Sequence, residues 1–439
     1  MKPYLDFLNA HADFVQSFRI DSLDRTGVPV VNASAWGATT AHGVGYGETE
    51  VEAARSAYGE CVESLAGLRY ARRVQPVALD IEQAAARGAV LPDTLSPVAG
   101  TSTPEGELLW VEARTLGGDK RLVPLEAAVT NAKEWSIAAG ERVPAFPPIT
   151  NGQGAAFAGD RLRAVRHGLC ELLQRDVNWS QFKALDTGRV VATKGIVEVA
   201  LDVRLKYAGQ AFGVHSFHAS AAEADETLAP ITRTSTGEGA DPDPRVAARK
   251  AVLELCSSRC RKQFFFTAEA FLVAPSSYRE RVVPSKTPLQ EHGWNLTDRF
   301  DALLGDATAL QRVTDKIPHV SEVVAMPPPY PATAPLERLG AEILVIDMTE
   351  PGDAAHVVKV VVPGLEAEVL SHHRIGPRAL ERLTLRLPQV VHQGGSPGPG
   401  WRHAAGAWVD VDALRALAEP FLPLYREPDR HAYVSTNPE

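Results

Sequence analysis

The patterning of this chain predicts a mixed α+β architecture. Three observations lead there. Amphipathic helical stretches and β-branched stretches both recur along 439 residues, a length that supports a large core and several subdomains. They do not alternate as strict strand–helix–strand units, which argues against a doubly wound parallel sheet. The composition, 45% hydrophobic and 23% charged, is that of a globular chain rather than a disordered one.

In chain order, the turn "DRTG" (24–27) leads into the β-branched run "VPVV", which reads as a strand. Residues 47–68, "GETEVEAARSAYGECVESLAGL", open with a Thr-x-x-Glu start and hold no proline, so they read as a helix. A Pro/Gly-rich loop at 92–106 precedes "ELLWVEARTL", a strand, and "DKRLVPLEAAV", a strand and turn. Residues 144–160 read as a turn-rich entry to the helix holding "HGLCELLQRDVNW" (167–179). The alternation in "GIVEVALDVRL" (195–205) predicts a strand, and "STGEGADPDPRVAARKAVLELCSSRCRKQFF" a loop followed by a helix. "MPPPYPATAPL" (326–336) is an extended Pro-rich connector, and "AEILVIDMT" and "HVVKVVVPG" are strands flanking the turn "TEPGD". We expect one domain of several subdomains over 1–400 and a C-terminal extension over 401–439.

A net charge of −9 leaves no basic excess for phosphate backbones, which argues against a nucleic-acid partner. No apolar run approaches the roughly 20 residues of a membrane span, and the start lacks a signal-peptide layout, so the expected location is the cytoplasm. The four cysteines, 61, 170, 256 and 260, suit a reducing compartment and read as small apolar residues on helix faces.

Three predicted helices share one feature: each follows a Gly-rich loop and carries Glu with a partner three to five residues later. The first has Glu60 and Glu63, the second Glu171, Gln174 and Arg175, and the third Glu254 and Arg259. Glu171 and Gln174, three apart, share one helix face. Carboxylates brought together from separate helices repel unless a hard cation sits between them, and Mg²⁺ with bound phosphates is the natural occupant. Arg175 and Arg259 add fixed positive charge suited to a polyphosphate. Taken singly, each pair also fits an ordinary solvated helix face.

In this order the three segments resemble the YcaO family. The first matches through Ala54, Ser56, Ala57, Glu60 and Glu63, and the second through Asn151, Gly152, Ala155, His167, Gly168, Glu171, Arg175 and Asp176. The third matches through Gly237, Gly239, Ala240, Pro242, Asp243, Pro244, Glu254, Ser258 and Arg259, and "KVVVPGLE" (359–366) resembles the family's C-terminal portion. The resemblance implies ATP and Mg²⁺ as cofactors, held by Glu60, Glu63, Glu171, Gln174, Arg175, Glu254, Arg259 and Arg163, with Glu60, Glu63, Glu171 and Glu254 on the metal. It implies ATP-dependent activation of a backbone amide in a ribosomally made precursor peptide. The expected reaction is cyclodehydration of Cys to thiazoline, as in bottromycin-type pathways, with thioamide or macroamidine formation as alternatives. A homodimer is one open option for assembly.

The resemblance also exposes departures. Val44 stands where the family has a phosphate-facing Lys, Gly159 where Asn is usual, Arg163 and Gln174 where Glu is usual, Ser257 where Gln is usual and Ser64 where Arg is usual. Two carboxylates and a lysine are thereby lost and one arginine, Arg163, gained, which suggests that Arg163 takes over part of a cation's work. Two readings stay open on sequence: a divergent catalyst holding fewer Mg²⁺ ions, or a degenerate protein that binds peptide without ATP turnover.

Overall fold

The computed structural model describes residues 1–95, 106–146, 148–149, 152–178, 189–223, 233–266, 273–282, 325–366 and 375–418. They form helices and four antiparallel sheets, the α+β architecture expected. Helix α1 (Lys2–His11) precedes the first sheet, β1 (Phe14–Arg19), β2 (Val30–Trp36) and β3 (Thr40–Tyr46), with β3 at one edge. Helix α2 (Glu50–Arg73) follows. Its Thr49 hydroxyl accepts from the Glu52 backbone N–H at 3.2 Å, while the Glu52 carboxylate accepts from the Glu48 N–H at 3.0 Å. Two otherwise orphaned donors are thereby satisfied at the helix start.

The largest sheet runs β4 (Val77–Leu79), β5 (Leu108–Thr115), β12 (Leu344–Asp347), β13 (Ala355–Val361) and β7 (Gln153–Phe157), with β6 (Lys120–Pro124) also on β5. Short helices α3 (Ile81–Ala86), α4 (Leu125–Ala128) and α5 (Ala132–Ala139) flank it, and α6 (Arg161–Asn178) follows β7. The third sheet has the order β11 (Thr234–Asp241), β10 (Val214–Ala222), β9 (Arg204–Ala211), β8 (Arg189–Val191), and β11 runs into α7 (Pro244–Phe266). After α8 (Ala334–Arg338) and the β12–β13 hairpin come α9 (Pro377–Arg386), a small sheet of β14 (Val391–His392), β15 (Trp401–Ala404) and β16 (Ala407–Asp410), and α10 (Val411–Ala418).

Three expectations need correction. The Gly-rich stretches before the motif helices are strands, not loops: they are β3, β7 and β11, each at the edge of its own sheet. "GIVEVALDVRL" pairs only at its last two residues. Residues 195–203 form a turn and an irregular segment, and β9 begins only at Arg204. The alternating Val197, Val199, Leu201 and Val203 instead lay their apolar sides on the α7 cluster around Val252 and Leu255. Finally, a boundary at 400 cuts through one apolar cluster, because Ile375, Leu383, Val390, Ala404, Val409 and Leu414 pack together.

The cysteines behave as expected. Cys61, Cys256 and Cys260 are fully buried, Cys170 is partly buried, and all are free. Burial pushes the Cys256 thiol up to about 12 and raises Cys260 well above the ordinary thiol range. The Pro-rich connector is extended but docked: Tyr330 donates its backbone N–H to Pro242 O at 2.9 Å and stacks on His215.

Candidate functional site

The site is built three times over from one local plan. Strands β3 and β11 carry Gly-x-Gly and β7 begins inside one, and each following helix carries small-x-x-x-small-x-x-Glu. The sets are Gly43/Gly45 with Ala53, Ala57 and Glu60; Gly152/Gly154 with Ala164, Gly168 and Glu171; and Gly237/Gly239 with Ala247, Ala251 and Glu254. A Cβ on Gly45 would overlap Ala57 N and Ala53 O, and one on Gly239 would overlap Ala247 O. Helix and strand backbones therefore touch, which only glycine allows.

That contact fixes the glutamates. Glu60 Oε2 accepts from the Val44 N–H at 2.9 Å, Glu171 Oε2 from Gly152 N–H at 2.8 Å, and Glu254 Oε2 from Glu238 N–H at 3.1 Å. The strand residue between each glycine pair points the other way, toward the next helix. Val44 packs in a cluster with Cys260 and Phe264 of α7, Gln153 sits against Gly67 of α2, and Glu238 reaches Arg175 and Gln174 of α6. The units thus close on one another as a ring: α2, β3, α7, β11, α6, β7 and back to α2.

Their charges meet. Burial first, then the charges of Glu171 and Glu60, push Glu63 up to about 8. Glu60 is exposed, yet the protein packed around it still raises its carboxyl by desolvation; Arg261 pulls it down and Glu171 pushes it up. Burial likewise raises Glu171, opposed chiefly by Arg175. Glu254 is pushed up to about 7 by burial, with Arg175 and Arg261 opposing and Glu238 adding to the rise. The Tyr46 hydroxyl is raised well above its usual range by burial and then by Glu254 and Glu60. Behind Glu171, the buried Lys359 ammonium donates to Ile149 O, and burial lowers it to about 8.

Of the residues named from sequence, Glu60, Glu63, Glu171, Gln174, Arg175 and Glu254 share this environment. Arg259 does not. Its guanidinium is 1% exposed and is held by Asp24 at 2.8 Å and Glu223 at 2.6 Å. Helical phase explains this: at about 100° per residue, position i+5 from Glu254 lies ~140° away, whereas i+7 lies within ~20°. Position i+7 is Arg261, half-buried and without an ion pair among the described residues. Arg163 is exposed near the start of α6, beside Tyr4 and two helical turns before Glu171. Gly159 has φ +87°, a turn geometry that favours glycine, and its Cβ position is open. Asn151 lies outside the described residues. Asp176 points elsewhere, accepting from Glu366 N–H at 2.7 Å and from Arg378.

Sequence reasoning missed Glu238, Arg261, Tyr46 and Lys359. Arg261 had a signal, the heptad spacing from Glu254. Glu238 was hidden inside a stretch read as a loop. It is 8% exposed and pairs with Arg175 at 2.6 Å. Cross-strand register places it opposite His218, and His218 opposite Lys206, both fully buried.

The donor set fits a magnesium nucleotide. Carboxylates that crowd one another call for a cation, and Arg175 and Arg261 share their field for phosphate oxygens. No three Asp, Glu, His or Cys side chains among the described residues converge tightly enough to hold a metal alone. The four-glutamate metal site expected from sequence is therefore not preassembled, since each motif glutamate is drawn to its own strand N–H. A Mg²⁺ here would take one or two carboxylates and complete its octahedron with phosphate oxygens and water.

The family model described as "YcaO cyclodehydratase, ATP- and Mg²⁺-binding" matches residues 44–366, which contain all three motif helices and glutamates. The chain belongs to the YcaO family. YcaO from Methanopyrus kandleri, solved with AMPPCP and Mg²⁺, aligns over 85% of this chain and 91% of its own, at 20% identity and TM-score 0.51. A heterocyclase solved with substrate and cofactor aligns over 88% of this chain and 55% of its own, at 17% identity and TM-score 0.59. An uncharacterised protein of Methanothermobacter thermautotrophicus is 28% identical over 385 residues, 82% of this chain and 91% of that protein. ATP and Mg²⁺ are the cofactors of this YcaO protein, and ATP-dependent peptide cyclodehydration is the activity of its family. No helix among the described residues is long and apolar enough to cross a membrane.

Proposed function

We propose that this YcaO protein spends ATP to activate a backbone amide of a ribosomally made precursor peptide, closing a cysteine onto the preceding carbonyl to give thiazoline. The thiol sulfur bonds to the carbonyl carbon and loses its proton. The former amide oxygen takes the γ-phosphoryl group and departs as phosphate, and the amide nitrogen loses its proton as the C=N bond forms. Products are thiazoline peptide, ADP and phosphate. The nucleotide supplies the phosphoryl group that turns a poor leaving group into a good one.

The chain's own part is positioning and charge neutralisation. Glu60, Glu171 and Glu254, each steadied by one backbone N–H, would hold Mg²⁺ at two of their number. Arg175 and Arg261 would face the phosphates, and Arg163 would stand at the entrance. What supports this reading is the ring of three equivalent units, whose glutamates lie within reach of one another's charge and of Arg175 and Arg261.

A non-catalytic peptide binder is the second reading. Val44, 5% exposed in an apolar cluster, supports it, because no phosphate-facing lysine stands there. The test is incubation with ATP, Mg²⁺ and Cys-containing peptides encoded beside the gene, followed by mass spectrometry and phosphate release. Loss of one water per turnover supports thiazoline formation. A gain of sulfur for oxygen, or loss of water with closure onto the peptide's own amine, would give thioamide or macroamidine instead. Peptide binding without phosphate release would establish the binder.

A further inference from the structure

Glu238 is the one charged residue among the three that sit between paired glycines; its counterparts are Val44 and Gln153. Its carboxylate contacts two consecutive residues of α6, Arg175 Nη1 at 2.6 Å and Gln174 Nε2 at 3.4 Å. Its own backbone N–H meanwhile fixes Glu254. One residue therefore ties the glutamate of the third unit to the arginine of the second. Position 174 carries an amide, and the carboxylate lies one hydrogen bond away, on the facing strand.

We propose that Glu238 is a positioning residue of the nucleotide pocket: it supplies from β11 the carboxylate that α6 lacks at Gln174, and holds Arg175 toward the phosphates. This rests on the nucleotide reading above. The carboxylate is placed by backbone geometry, since the Gly237 and Gly239 contacts with α7 leave no freedom to move the strand. An arginine held by a carboxylate keeps its planar fork oriented, so less is lost when it engages a second anion. The cross-strand row of His218 and Lys206 lies on the same face as Glu238, which keeps its side polar.

The test is isothermal titration of the purified full chain with AMPPCP and Mg²⁺, with thermal melts alongside. Glu238→Gln should weaken binding about tenfold or more. The transposed pair, Glu238→Gln with Gln174→Glu, returns one carboxylate to nearly the same place and should recover binding to within about threefold of wild type. In an Arg175→Met background, Glu238→Gln should weaken binding little further, because the residue acts through that arginine. Wild type binding well and Glu238→Gln binding equally well would overturn the role of Glu238 and leave the nucleotide reading intact. A Glu238→Gln protein that melts far lower, and is not rescued by transposition, would make it a folding residue and also overturn the proposal. Wild type binding no nucleotide would sink the nucleotide reading, and this assignment with it.

Discussion

The first and third strand–helix units have nearly the same backbone plan and opposite chemistry at one side chain. In both, two glycines seat the strand on its helix and a strand N–H steadies a helix glutamate. Between the glycines, β3 carries Val44, buried among Ile20, Val30, Cys260 and Phe264, whereas β11 carries Glu238, paired with Arg175. The scaffold is thus a property of the glycines and the small helix residues, and the chemistry is set by the residue facing the next helix. A pocket can lose a carboxylate on a helix and hold one on a strand without any change of fold.

The shared plan breaks first at the glycines. Gly45→Ala and Gly239→Ala should each cost about 3 kcal/mol or more, because the added methyl meets backbone that cannot yield. Thermal unfolding checks this, and a melt within a degree or two of wild type for either would show that the two units do not share the contact. Next comes the pair of arginines on α7. Arg259→Ala leaves Asp24 and Glu223 buried without their partner and should cost roughly 3–5 kcal/mol in denaturant unfolding. Arg261→Ala should leave the midpoint nearly unchanged while weakening Mg²⁺-AMPPCP binding about tenfold. Equal stability losses in the two would erase the distinction drawn by helical phase.

Charge crowding makes the third prediction. Glu63 has a folded value near 8 against an ordinary 4.5, so the folded state keeps its proton after the unfolded chain has released it. Its contribution is present below about 4.5 and is lost as pH rises through 8, and Glu254 acts in the same direction up to about 7. Stability of the nucleotide-free protein should therefore decline over that window, and Glu63→Gln should make the decline shallower. An unchanged slope would show that Glu63 is not crowded by Glu171 and Glu60. The smallest effect belongs to Arg163→Ala: exposed and without an ion pair among the described residues, it should move stability by less than about 0.5 kcal/mol and nucleotide affinity by less than about threefold.

What could be read from sequence follows from these same residues. Helical spacing put Glu60, Glu63, Glu171 and Glu254 on defined helix faces, but only the resemblance of the three segments together marked those faces as a site. Arg261 was equally legible by counting turns from Glu254, but pairing Glu254 with the arginine five residues on, and then the resemblance, drew attention to Arg259 instead. Glu238 was not. Glycine has low strand propensity and usually signals a loop, so "TGEG" and "HGVG" gave no hint of a paired, buried strand. The reason for those glycines, a helix backbone lying against them, is long-range and invisible locally. The failed strand at 195–203 is the converse: its alternation is real, but it describes burial on α7 rather than pairing.

The residue after Arg175 reaches out of the pocket altogether. Asp176 accepts the Glu366 N–H and grips Arg378, while both Glu366 carboxylate oxygens receive the first N–H groups of α9, Arg378 at 2.7 Å and Ala379 at 2.8 Å. The small C-terminal lobe is consequently hinged on the same turn of α6 that aims Arg175. One turn of α6 thus has two clients: Arg175 turns to Glu238 of β11, and Asp176, the next residue, fastens the start of α9.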